Sequence, residues 1–465
     1  MRNSLKIVSL LILSLLVADS YAQLSKKHYL PPFYGNISGG RDANGYFTLY
    51  LSTTETTPFD VTIKKGDGTE IARITGLSST SSKYYKLPAN VRSFINNPSG
   101  YDQPLFITSN NRGKVLSNKG LILESEHDFF VNVRIKTDAQ GGSLTSKGLV
   151  GSGTHFFAGH MKSIMSKFNP YNSHFFSIMA TANNTLVTIN KRGFNWFSSN
   201  QNNQNSWTLI DRSTNKYQCR LNAGETVTLG YDNAAMGENK GYAFDDPNGT
   251  EIESNEPIVV TSGSWASSTY NASSRDIGFD QIVPVNVVGD QYILVKGRGN
   301  KNSNSKYDKT KHGEAVIIIA TEDNTEITYY DNYNRAHTET IRRKGDCLRL
   351  DYELFNKYDY SWWSGYYVED YEMLPSVYMT SNHPIYVYET LNGSIYKPQT
   401  NGMSFIPPLK CTSDFKVTIP RAKSAQGAGE FLLNTVIKGS TSSKNITIDG
   451  TRLSNSNYQE VAGTD

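Results

Sequence analysis

Histidines, carboxylates, hydroxyls and aromatic rings are the side chains here that could do chemistry, and their spacing limits what chemistry that is. The chain has eight histidines: His28, His127, His155, His160, His174, His312, His337 and His383. None sits in the His-Glu-x-x-His pattern that puts two imidazoles on one helical face for zinc. His155 and His160 lie five apart, so on a strand they face opposite ways. To hold a metal they would have to converge with His174 through folding, and scattered, partly buried histidines are the simpler expectation. The acidic runs Asp245-Asp246-Pro247-Asn248-Gly249, Glu322-Asp323-Asn324 and Asp331-Asn332 lack the spaced oxygen ligands of a calcium loop. Tight turns account for their composition. Ser264, read as following a strand, lacks the second glycine of a nucleophile elbow, and no Cys-His pairing is evident. The reading is non-catalytic, with no metal and no cofactor.

The aromatic residues are the strongest candidates. Tyr352 to Tyr371 holds nine aromatics in twenty residues, with Trp362-Trp363 and Tyr366-Tyr367 adjacent. Neighbours on a strand point to opposite faces, so these rings cannot all share one core. They either pack between modules or are exposed. If exposed among Glu353, Asp359, Glu369 and Asp370, they would stack on sugar rings or anchor a protein partner. Trp362, Trp363, Tyr366 and Tyr367 are therefore the candidate ligand-binding residues. A basic insertion carrying Lys296, Arg298, Lys301, Lys306, Lys309 and Lys311 is either a solvated loop or a contact for anionic glycans.

Composition narrows the class that must position these groups. The chain has 465 residues, and 46 cations against 43 anions leave a formal charge of +3. That is too small an excess for a dedicated nucleic-acid binder. Aromatics make up 12%, enough to build cores, while 42 Asn and 37 Gly favour many turns between short strands. Residues 1–22 read as a secretory signal peptide: Arg2 and Lys6, an apolar run from Ile7 to Val17, then Ser20-Tyr21-Ala22 as a cleavage site. No later segment is apolar enough to span a membrane. The mature chain is expected to be soluble and secreted, or displayed at the cell surface. Cys219, Cys347 and Cys411 are an odd set. Cys219 and Cys347 lie 128 apart, which suggests equivalent strand positions, with buried free thiols rather than a disulfide.

That separation matches an internal repeat. Ala180-Thr181, Asn184-Thr185 and Thr188 recur as Ala320-Thr321, Asn324-Thr325 and Thr328, each between two β-prone runs that read as a hairpin. A fainter copy spans Phe47 to Ile63. A second signature, Ser254-Asn255-Glu256-Pro257-Ile258, recurs as Ser381-Asn382-His383-Pro384-Ile385 and more faintly from Ser125. Pro257 and Pro384 read as strand starts. Lys65-Gly66-Asp67 and Lys344-Gly345-Asp346 read as turns. These marks predict an all-β chain of tandem β-sandwich-like modules of about 130 residues. The modules fall at 23–145, 146–280 and 281–405, and 406–465 opens a fourth, incomplete one.

The same residues resemble the N-terminal region of IgG Fc-binding proteins. The pattern runs through Phe175 to Ile189, then Asn248 to Gly263, then Ile282 to Val295. The opening Leu24 to Pro32 is similar to that of large surface proteins of gliding bacteria exported by the type IX system. The resemblance implies a fold and a compartment. It does not imply antibody binding, because the motif residues are turn and core positions. A type IX protein would need a C-terminal sorting domain beyond Asp465. The resulting reading is a secreted, adhesin-like binding protein, with a surface glycan or protein as ligand and the secretion and attachment machinery as partners. The alternatives are a carbohydrate-binding array of a polysaccharide-degrading system and, third, a secreted hydrolase.

Overall fold

A computed structural model describes residues 23–35, 46–87, 103–137, 141–161, 173–190, 192, 206–232, 247–267, 276–295, 314–330, 334–350, 376–391, 402–409 and a few positions between 447 and 464. The described residues form strands, with only three short 3-10 turns and no α-helix. The proposed signal peptide lies outside them. So do Trp362, Trp363, Tyr366, Tyr367, the basic insertion and most of 406–465. Thr447–Ile448 and Thr451–Arg452 form one small hairpin.

Three large antiparallel sheets follow one another, each built on one long strand: Leu121–Lys136, Thr250–Ser267 and Ser376–Leu391. In the second sheet the first half of the long strand pairs with Ser152–Ala158 and Thr185–Asn190. Its second half pairs with Ser173–Ala180 and Asp276–Ile282. The third sheet repeats this wiring with Gly289–Val295 and Thr325–Tyr330, then Glu314–Ala320 and Gly402–Phe405. The first does so with Ser25–Leu30 and Phe59–Lys65, then Tyr46–Ser52 and Gly141–Thr145. One strand serving two groups of partners curls each sheet, giving the β-sandwich-like form expected.

The repeated motifs mark the bend rather than a hairpin. Ser173–Ala180 and Thr185–Asn190 do not pair with each other; both pair with the long strand. Asn184 and Asn324, at φ 60° and 54°, turn the chain between the two, a left-handed conformation that Asn tolerates better than most residues. The second signature locks the turn. The Asn255 side chain accepts from Leu186 N–H at 2.6 Å and donates to Asn184 O at 3.4 Å. Asn382 does the same with Glu326 and Asn324, at 2.8 and 3.3 Å. Thr181 and Thr321 donate to the carbonyls of Pro257 and Pro384, at 2.7 and 2.5 Å. The prolines therefore lie within long strands, not at strand starts. They occupy the switch between the two sets of partners, where a missing N–H breaks no ladder bond.

Apolar packing runs from sheet to sheet. Phe175, Trp265, Ile277 and Phe279 of the second sheet join the core of the first, with the Phe33 and Phe279 rings 4.7 Å apart. Tyr386, Tyr388, Ile317 and Ile319 of the third join the core of the second. Ser173–Ala180 is consequently buried at every position. Its apolar run reads as a strand covered on both faces.

Backbones also meet at the glycine turns. A side chain on Gly224 would strike the carbonyl of Gly66, and one on Gly249 would strike that of Gly345. The Lys65-Gly66-Asp67 and Lys344-Gly345-Asp346 turns are thus points where sheets touch. Gly224 and Gly345 correspond, since their N–H groups donate to Ala180 O and Ala320 O. They are 345 − 224 = 121 apart, so a separation of 128 overshoots. Cys219 lies on Lys216–Leu221, before its glycine turn, and Cys347 begins Cys347–Leu350, after its own. The two cysteines are not equivalent. Cys219 is buried, whereas Cys347 is exposed.

Gly249→Ala should therefore destabilise far more than Gly68→Ala. Both glycines have positive φ, 76° and 85°, but Gly68 faces open space. The conformational cost of about 1–2 kcal/mol is common to both. A further ~1–3 kcal/mol at Gly249 would report the forced separation of two backbones. Thermal melts of the two variants measure the difference.

Candidate functional site

Among the described residues, charged and polar groups gather in three places between the sheets. At the first, Lys147 Nζ lies 3.2 Å from Asp280 Oδ1, with both side chains buried. Asp280 also accepts from the N–H groups of Gln281 at 2.8 Å and Phe405 at 2.6 Å. Gln281 accepts from Lys147 N–H at 2.5 Å and donates to Tyr29 O at 2.9 Å. Fully buried His28 completes the group. Its Nε2 donates to Phe129 O at 2.8 Å, leaving Nδ1 to accept from the Ser146 hydroxyl at 3.0 Å. Residues of all three sheets meet here. Burial pushes the Asp280 carboxyl up, against the pull of Lys147 and the two N–H groups. Burial also pushes His28 down to about 4.

The second group ties Tyr34, which packs in the core of the first sheet, to the second sheet. Tyr34 donates to both carboxylate oxygens of Asp232 at 2.7 Å, and Arg112 lies 3.1 Å from Oδ2. The third joins the second and third sheets. His155 Nε2 and Lys344 Nζ lie 3.0 and 3.1 Å from Glu251 Oε1. Hydrogen bonding to His155, then Lys344, holds the Glu251 carboxyl down at about 2 despite partial burial. Arg192 donates to Gly345 O at 2.8 Å and pairs with Asp346 at 2.9 Å.

The histidine trio does not come together. His160 Nε2 and His174 Nδ1 are 2.8 Å apart and fully buried, and His160 Nδ1 lies 3.0 Å from Ser262 Oγ. Burial, and then the charge of His160, keeps His174 well below the usual histidine range. His155 instead lies beside Glu251 and Glu253, the one cluster among the described residues whose atoms are close enough to share an ion. Lys344 already supplies a positive charge to Glu251 there, which disfavours a metal. Ser264 is buried inside its long strand rather than after one. Asn248 and Asp323 accept backbone N–H groups from His160 and Lys344, as turn residues do.

A different surface was not singled out by spacing. On the first sheet, alternation turns Tyr46, Thr48 and Tyr50 away from the core, with Tyr84 and Lys86 beside them and Asn132, Arg134 and Lys136 along the long strand. Tyr84 is 69% exposed and Tyr46 36%. Lys86 Nζ lies 3.4 Å from the Tyr46 ring centre and the Arg134 guanidinium 4.7 Å from that of Tyr50. The Tyr50 and Tyr84 rings are 6.3 Å apart. The alternating pattern of Tyr46 to Tyr50 was the available signal. Only strand pairing brings Lys86 and Arg134 to the same face.

The family model described as IgGFc binding protein matches residues 142–465. No curated protein matches the chain.

Two outcomes test these clusters. Lys147→Met should cost about 3–5 kcal/mol in urea unfolding, because Asp280 is left buried without its cation. Stability should also fall as pH drops from 6.5 to about 4. Unfolded His28 takes up a proton throughout that window while folded His28 does not, a loss of about 3 kcal/mol. His174 acts in the same direction. Glu251 contributes stability above its ordinary value of 4.5, and that is lost only as pH falls from 4.5 towards about 2. His28→Gln should make the upper limb of the pH profile shallower, leaving the share of His174, and leave the lower limb unchanged.

Proposed function

This chain belongs to the IgGFc-binding protein family, and on that premise we propose that it is a secreted, adhesin-like binding protein of the cell surface. The family is a binding-type family whose proteins are typically extracellular. Among the described residues, no helix is long and apolar enough to cross a membrane. The observation that carries the proposal is the sharing of cores and buried polar groups between successive sheets. Such a scaffold holds its faces and loops in fixed relation, and several weak contacts then act together. The modules proposed are 23–145, 146–280 and 281–405, with residues 1–22 as the export signal. Type IX export and attachment to the cell surface fit this reading. The motif residues are engaged in bends, so the proposal does not extend to antibody Fc.

Trp362, Trp363, Tyr366 and Tyr367 remain proposed contacts for a glycan or protein ligand. The test uses the chain beginning at Gln23, with a panel of surface glycans and matrix proteins. Saturable binding without chemical change of the ligand is expected. Loss of it in the Trp362→Ala/Trp363→Ala variant, with circular dichroism unchanged, would place a contact there. Turnover of any ligand would overturn the proposal in favour of a hydrolase.

A further inference from the structure

We propose that the outward face of the first sheet is a binding site for acidic polysaccharide, a reading that rests on the binding role above. The face carries two exposed rings, Tyr84 and Tyr46, and three cations, Lys86, Arg134 and Lys136. Tyr46–Ser52, Lys83–Lys86 and the end of the long strand past Phe130 hold no acidic residue; the strand's Glu124, Glu126 and Asp128 lie before it, in the half that pairs with other strands. At its margin, Asp276 is engaged by the N–H groups of Gly141 and Ile277. Lys86 and Arg134 flank Thr48 on its two neighbouring strands, where like charges oppose one another and a polyanion relieves that repulsion.

The rings define the rest of the ligand. Tyr84 pairs with Tyr50, four residues along the strand from Tyr46, which separates the two exposed rings by about 13 Å at ~3.3 Å per residue. Lys86 and Arg134 lie between them, each flanking Thr48. An extended chain of sugars would stack on one ring, pass its acid groups over the cations and reach the other. Thr48 offers its hydroxyl to the sugar, while Asn132 holds Arg134 in place, accepting from its Nε at 3.0 Å and donating to Thr145 Oγ1 at 3.0 Å. A lone anion would not use both rings. A nucleic acid carries dense charge and is drawn by a strongly basic surface, whereas this chain has a net charge of only +3. The rings and cations of the face precede the region matched by the family model, so the site belongs to this chain's own first sheet.

The test is calorimetric titration of the chain beginning at Gln23 with oligogalacturonate, neutral dextran oligomers and single-stranded DNA. Oligogalacturonate should bind. Its affinity should fall more than tenfold when salt is raised from about 0.05 to about 0.5 M, as the Debye length shrinks. Tyr84→Ala should weaken binding about tenfold. Lys86→Gln/Arg134→Gln should weaken it at least as much and flatten the salt dependence. Tyr84 is exposed, so its variant should melt with the parent, and the Lys/Arg variant gives a second reading if it does not. Trp362→Ala/Trp363→Ala should change nothing here. Equal binding of dextran, tighter binding of DNA, or indifference to the face variants would overturn the site. If the chain bound members of the glycan and protein panel but not oligogalacturonate, this inference would fall and the binding role would stand. If it bound nothing at all, both would fall.

Discussion

A strand that serves two sets of partners has to bend, and the backbone groups at the bend must still be satisfied. That requirement shapes each sheet of this protein. An unpaired buried N–H or C=O costs as much as a lost hydrogen bond. The Asn and Thr side chains of the repeated motifs substitute for the missing ladder at Pro257 and Pro384. Proline is suited to the position because it has no N–H to satisfy there. The first sheet keeps part of the device. Thr53 donates to Asp128 O at 2.7 Å, and Asp128 occupies the place of the prolines. Its fainter motif is thus the same bend with fewer bonds.

Once bent, each sheet presents apolar residues on more than its inner face, and the next sheet covers them. This explains why Ser173–Ala180 is buried throughout and why Trp265 packs against Phe106 at 5.4 Å. Apolar contact alone would let such surfaces slide. The Lys147–Asp280 pair, the Tyr34–Asp232–Arg112 group and the Glu251 cluster each require a specific alignment. Buried ion pairs add little net stability relative to apolar residues of similar size. Their contribution here is to fix register between sheets.

Fold class was legible from composition, strand alternation and the repeat. The repeats were legible as positions but not as geometry. Two β-prone runs around Asn184 look like a hairpin, and only the partners of Asn255 reveal a bend. The cysteine comparison failed because a separation measured on one motif was carried to a stretch where the local spacing is 121. The buried clusters were barely legible. Asp280, a charge inside the otherwise covered strand Asp276–Ile282, was their one local sign, and its partners come from distant segments. The exposed face of the first sheet needed the pairing of Lys83–Lys86 with Tyr46–Ser52, which no local spacing encodes.

The glycine turns carry a consequence for the array as a whole. The turn at Gly224 meets Gly66 at the end of Phe59–Lys65, and the corresponding turn at Gly345 meets Arg192, just past Thr185–Asn190. Each sheet thus receives its predecessor at the same corner and offers its successor a different one. A joint of this kind is heterologous: it has direction, and a sheet meets its two neighbours with different surfaces. Each sheet is thus joined to the next in sequence, as successive units are in solenoids. A ligand site on one sheet is therefore held in a set orientation to the sheet that follows it, through turns that tolerate no side chain.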